Sequence, residues 1–224
     1  MHFESEDLYH VFNQGNNRQK IFFTRANYLF FLRKIDQHIL PHADVLAWCL
    51  MPNHFHLMIH VHTVEVSGAE EASPDTHQMT LSHLMSNSDS KSSIGDQNLR
   101  RQEKKQDLTQ SIAVMLRSYT RDINMQEGRT GPLFKAHTQA ECLTTPQGIT
   151  PVFFNTGFGT QLNVWIPEKE YPQVCFNYIH QNPVKAGLVK NAEDWEFSSY
   201  PDYCGVRNGK LINRKRAEEY GLVI

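Results

Sequence analysis

The spacing of hydrophobic and polar positions changes several times along the chain, and each change marks an element. Residues 8–15, LYHVFNQG, alternate and predict a first strand, which Gly15-Asn16-Asn17-Arg18 ends in a turn. From residue 25 to 40 the period becomes helical. Tyr28, Leu29, Leu32, Ile35, Ile39 and Leu40 fall at i, i+3, i+4 and i+7 spacings, with Thr24 as N-cap and Pro41 as stop. Two β-rich runs follow, 44–51 (DVLAWCLM) and 54–62, separated only by Pro52-Asn53. So short a connection predicts antiparallel neighbours joined by a tight hairpin.

After His62 the pattern stops. Residues 63–107 are rich in Ser, Asp, Glu, Gln and Lys and predict a flexible insertion, because such a segment cannot offset its ordering entropy by burial. Within it, MTLSHLM (79–85) is the stretch able to dock. Helical spacing returns over 108–124, where Ile112, Met115, Leu116, Tyr119 and Ile123 form a stripe. Gly128 and Gly131 bracket a turn, and PLFKAHTQAECL (132–143) predicts a fourth strand. A second insertion occupies 144–169, and a third helix is expected over 170–182, ended by Pro183. Trp195, Phe197, Tyr200 and Tyr203 predict that the following residues pack back on the body, with 206–224 left as a basic C-terminal tail.

Strand, helix, strand, strand, helix, strand is the order of an α+β, ferredoxin-like split βαβ fold with an antiparallel sheet. To it are added a C-terminal helix bearing Tyr178 and the two insertions, all within one domain spanning 1–205. Helices on one face of such a sheet leave the other face expected to be open for a site.

Composition narrows the partners. A formal charge of −2 over 224 residues gives no chain-wide attraction for nucleic acid or membrane, so any polyanion site must be a local patch. No apolar run approaches the ~18 residues of a membrane span. The start, MHFESEDLYH, does not read as a signal peptide, and the four cysteines are scattered without a CxxC pair. A cytoplasmic protein with no membrane partner is expected.

The chemistry concentrates in AWCLMPNHFHLMIHVH, 47–62. Strand alternation puts His54, His56, His60 and His62 on one side, opposite Phe55, Leu57, Ile59 and Val61. His54 and His56 stand about 6–7 Å apart at the backbone and can converge on one divalent ion, whereas His60 lies roughly 13 Å beyond His56. A solvent-facing strand also carries polar residues for no such reason. Zinc would need three or four nitrogen or sulfur ligands, and no Cys or His spacing supplies them. Downstream, in EYPQVCFNYIHQNPVKAGLV (170–189), Tyr178 and Asn182 are four apart and share a helix face. Tyr119, with Met115, Leu116 and Ile123 on its stripe, reads instead as a packing residue.

These stretches together resemble a family. MPNHFHLMIH, then YIHQNPVKAGLV and DWEFSSYPDYCG, with YHVFNQGNNRQKIF and GPLFKAHTQ, resemble the single-tyrosine HUH transposases. The nearest branch is that of the REP-associated tyrosine transposases, of insertion-sequence 200/605-type descent. The resemblance covers most of 8–62 and 108–205 and omits the insertions. It implies a nickase that cleaves and rejoins single-stranded, hairpin-type DNA through a covalent 5′-phosphotyrosine, using Mg²⁺ or Mn²⁺, as a monomer or homodimer. By motif, His54, His56 and Asn182 become metal ligands and Tyr178 the nucleophile. Candidate DNA contacts are Asn16, Asn17, Arg18, Arg117, Arg121, Lys135 and Lys185, with a further basic cluster at Arg100, Arg101, Lys104 and Lys105. The alternative is a domesticated or degraded copy that binds nucleic acid without cutting it.

Overall fold

The computed structural model describes residues 1–67, 105–144, 152–156, 159–163 and 171–224. The first alternating run forms β1 (Leu8–Gln14), and the helical run after Thr24 forms α1 (Arg25–His38). The Asn27 Oδ1 caps that helix by accepting from the backbone amides of Phe23 (3.0 Å) and Thr24 (2.9 Å). β2 (Ala43–Met51) and β3 (His54–Val61) pair antiparallel across Pro52-Asn53, with Met51 opposite His54. A short ribbon of β4 (Glu65–Ser67) and β5 (Lys105–Asp107) then joins the two ends of the first insertion. Residues 79–85, Arg100, Arg101 and Lys104 lie outside the described residues. α2 (Leu108–Gln126) starts where Asp107 Oδ1 accepts from the Gln110 amide at 2.7 Å.

β6 (Gln139–Cys142) closes the sheet in the order β2-β3-β1-β6, every pair antiparallel, as the ferredoxin-like α+β fold requires. The fourth strand is much shorter than the predicted 132–143. Leu133 and Phe134 turn inward to be buried, and the Asn13 amide donates to Lys135 O (3.2 Å) and Thr138 Oγ1 (2.9 Å). Backbone pairing persists at the Gly15–Phe134 bridge, with Lys135 N donating to Gln14 O (2.8 Å), and the Asn13 side-chain bonds stand between it and β6. β7 (Val152–Thr156) and β8 (Gly159–Asn163) form a hairpin within the second insertion.

The third helix, α3 (Tyr171–Lys185), runs past Pro183 rather than ending before it. The proline removes the one bond its own amide would have given to the carbonyl of Ile179, and beyond it Ala186 N still donates to Asn182 O at 2.9 Å. The Asn182 Nδ2 donates to Tyr178 O (2.9 Å), and Leu188 N donates to Pro183 O (2.9 Å) to close the end. Two short helices follow, α4 (Tyr200–Tyr203) and α5 (Arg214–Glu219).

Two cores flank the sheet. On one face α1 and α2 bury Phe31, Ile35 and Tyr119 against Val11, Phe55 and Leu57. The other face was expected to be open, and it is not. Cys175, Phe176 and Ile179 of α3, with Ala217 and Leu222, pack on Leu8, Leu46, Cys49 and Met58. Residues 206–224, read as a basic tail, therefore contribute to this second core. Asn213 N donates to Val45 O (2.8 Å), and the Arg207 guanidinium grips buried Asp202 at 2.7 Å. Among the described residues no helix is long and apolar enough to cross a membrane.

Candidate active site

The site begins at the hairpin. The Asn53 Nδ2 donates to Arg18 O (3.4 Å), which leaves its Oδ1 to accept from His54 Nδ1 at 2.6 Å. With that proton placed, the lone pair of neutral His54 is on Nε2. Two residues on, His56 shares the same sheet face, its ring perpendicular to that of His54 (84°) at 5.0 Å between centroids. It is 5% exposed; its Nδ1 lies 2.9 Å from His10 Nε2, while its Nε2 has no hydrogen-bond partner.

α3 brings the remaining groups over these rings. Phe176 and Ile179 anchor it in the second core, and His180 ties it to β2. The His180 Nε2 is 2.8 Å from Ser199 Oγ, which accepts from Trp48 N at 2.9 Å. So held, the half-buried Tyr178 ring stands edge-on to His56, 5.4 Å between centroids at 80°, and 6.2 Å from His10. The Lys185 Nζ sits 5.4 Å from the centre of the Tyr178 ring. The Asn182 side chain reaches both His54 and the Tyr178 phenol and favours the charged form of each.

Burial sets the protonation states. It drives His54 down to about 4 and His56 well below the ordinary histidine value, so both are neutral near pH 7 with a lone pair to offer. Burial also raises the Tyr178 phenol, opposed by the Asn182 hydrogen bond that favours the phenolate. Neutral imidazoles beneath α3 suit a cation, and a phenol beside them needs nearby positive charge to ionise.

The residues fit a divalent ion. A buried imidazole nitrogen without a partner carries a desolvation cost of about 1–3 kcal/mol that a cation at His56 Nε2 would relieve. His54 Nε2 and the Asn182 amide oxygen complete a nitrogen, nitrogen, oxygen set suited to a partly hydrated Mg²⁺ or Mn²⁺. Among the described residues no group of three or more His, Cys, Asp or Glu is placed to hold a metal. His60 is engaged elsewhere: its Nδ1 lies 2.9 Å from Tyr220 Oη and its Nε2 3.8 Å from Glu6 Oε2. His62 is exposed beyond the end of β3.

The candidate DNA contacts divide into two groups. Asn16, Asn17 and Arg18 form a turn against the Pro52-Asn53 hairpin, Asn17 (φ 52°) and Arg18 (φ 58°) exposed and left-handed. That turn and Lys185 flank the His54–Tyr178 site. Arg117 and Arg121 belong to α2, on the sheet's opposite face, so they do not join it. The Lys135 amide donates to Gln14 O at the end of β1 (2.8 Å), and with Arg117 it lines a cavity of about 460 Å³ between α2 and residues 132–138. Three neighbours of the histidines had not been singled out in the sequence: His10, Asn53 and Glu141. The signal for His10 was its place on the alternating first strand, two residues before Phe12, which pairs with His56.

No family model matches the chain, and no curated protein matches it. Among solved structures, a REP-associated tyrosine transposase bound to a REP hairpin aligns with 96% of this chain and 95% of its own, at 14% identity and a TM-score of 0.46. A likeness of that strength decides neither reaction nor ligand, which rest on the chain's own residues.

Proposed function

We propose that the chain is a divalent-metal-dependent endonuclease of the transposase type, cleaving and rejoining single-stranded or hairpin DNA through Tyr178. The observation that carries this reading is the placement of one half-buried tyrosine over two neutral histidines, one with an orphaned nitrogen. His54, His56 and Asn182 would hold Mg²⁺ or Mn²⁺. When bound, the ion polarises the scissile phosphate and offsets its charge.

The chain's own groups supply the rest. Asn182 orients the Tyr178 hydroxyl, and the Lys185 cation above the ring favours its ionised form. The Tyr178 oxygen attacks phosphorus, its proton passing to solvent; a new phosphorus–oxygen bond forms as the bond to the 3′-oxygen breaks. That oxygen takes up a proton and leaves as a free 3′-hydroxyl, with the 5′-phosphate on Tyr178. Bond count is conserved, so the reverse attack rejoins DNA without ATP. Lys185 on one side and the Asn16–Arg18 turn on the other offer positive charge and amides to the phosphate backbone.

The test is incubation with hairpin oligonucleotides carrying randomised single-stranded flanks, with Mn²⁺ or with EDTA, followed by denaturing electrophoresis. An adduct that requires Mn²⁺ is expected. Retarded DNA on native gels with no adduct in any condition would replace this reading with that of a binding protein that does not cut.

A further inference from the structure

His10 has been given no role so far and makes no hydrogen bond to Asn182 or His54, yet it is 5% exposed and lies beside His56 and Tyr178. Its ring lies nearly parallel to that of His56, edge to edge (5.1 Å, 20°), and stacks on Phe12 (4.6 Å, 28°). Its Nε2 is 2.9 Å from His56 Nδ1, and its Nδ1 is 3.7 Å from Glu141 Oε2, the residue directly opposite on β6. The hydrogen bond between the two imidazoles has one proton, and the proton's owner decides what the far nitrogens can do.

There are two arrangements. If His10 Nε2–H donates, His56 carries its proton on Nε2, a buried donor with no acceptor in reach. His10 would then turn its Nδ1 lone pair toward the Glu141 carboxylate, negative against negative. If His56 Nδ1–H donates instead, His10 carries its proton on Nδ1, toward Glu141. The fault at Glu141 disappears, because the carboxylate meets a donor's side, and His56 Nε2 becomes a lone pair aimed into the site, unpaired until a cation takes it. Hydrogen-bonded carboxylate–histidine chains fix the tautomer of metal-binding imidazoles in this way.

We propose that His10 is a positioning residue: it accepts from His56 Nδ1–H and so holds His56 in the tautomer whose Nε2 can bind a divalent cation, with Glu141 keeping the His10 proton on Nδ1. The proposal rests on the reading of His56 as a ligand, but it concerns the metal-free protein and is measurable there. Phe12, packed on His10, keeps the two rings parallel and the relay short.

The experiment is long-range nitrogen–proton correlation on histidine-labelled, metal-free protein near pH 7.5, followed by Mn²⁺ titration by electron paramagnetic resonance. In the wild type, His10 and His56 are both expected with the proton on Nδ1. His10→Phe keeps the ring and loses the acceptor; His56 should move toward the Nε2–H form, and Mn²⁺ affinity should fall by about 10- to 100-fold. His10→Gln, whose amide oxygen reaches the place of the ring Nε2, should restore both. Glu141→Gln, at a half-exposed edge, should weaken affinity by less. A wild-type His56 protonated on Nε2 would overturn the proposal without any variant. So would a His10→Phe protein with unchanged tautomer and affinity. Failure of the wild type to bind Mn²⁺ would instead refute the metal site, while the tautomer result would still decide the role of His10.

Discussion

Two tyrosines on two helices sit on opposite faces of one sheet, and their surroundings differ. Tyr119 is fully buried; its hydroxyl donates to Ile21 O at 2.8 Å, and Phe22, Phe30, Phe31 and Phe134 surround its ring. Tyr178 is half-buried, edge-on to His56 and His10, with Lys185 above it and Asn182 at its hydroxyl. Burial raises both phenols, but only at Tyr178 does a hydrogen bond work toward the phenolate. The difference lies in the strands beneath. β1 and β3 present Val11, Phe55 and Leu57 to one helix and His10, His54 and His56 to the other. Strand alternation alone thus separates a packing face from a reacting one.

The comparison breaks most sharply by removing a single oxygen from each ring. Tyr178→Phe should eliminate the covalent adduct on denaturing gels while hairpin DNA is still retarded on native gels; a persisting adduct would end the distinction. Tyr119→Phe should leave adduct formation intact.

The next largest effect belongs to the packing face. Phe55→Ala empties a fully buried site and should cost about 3–5 kcal/mol in urea unfolding. Tyr119→Phe strands the Ile21 carbonyl and should cost about 1–3 kcal/mol. Tyr178→Phe, by contrast, should cost no more than about 1 kcal/mol. A Tyr178→Phe protein as destabilised as Tyr119→Phe would mean that both tyrosines are packing residues.

The smallest effect is on pH. Buried His42 and His60 both have pKa values lowered by burial, so the unfolded chain takes up protons near 6.5 that the folded chain refuses. Unfolded protein binding more protons means stability rises with pH. The urea midpoint should therefore be full above about 6.5 and decline as pH falls below it. His60→Gln should flatten that decline; an unchanged slope would show that His60 takes up its proton as readily in the fold as in the unfolded chain.

Much of this arrangement was legible beforehand. The Pro52-Asn53 hairpin, the α2 stripe and the strand order follow from spacing, and they place His54 and His56 on one face. The closure of that face was not legible. The buried stripe of α3, Pro172, Cys175, Phe176, Ile179, His180 and Pro183, has helical spacing but does not say which surface it covers, and α5 (RKRAEE) offers only Ala217 as a buried residue. The shortened β6 depends on side-chain bonds from Asn13, which no periodicity reveals. The Pro183 stop failed because the rule against helix before proline is a preference that a final turn can absorb. His10 escaped notice because its meaning depends on register, Phe12 opposite His56, and one histidine in a strand does not announce its cross-strand neighbour. Arg117 and Arg121 were grouped by charge, which is blind to the side of the sheet on which a helix lies.

The most direct measurement is peptide mapping of the adduct trapped with Mn²⁺ on single-stranded hairpin DNA. The nucleotide should be found on Tyr178 alone, in the peptide that also carries Asn182, and it should be absent when EDTA replaces Mn²⁺. A nucleotide on Tyr119 or any other residue, or an adduct formed equally in EDTA, would contradict the account.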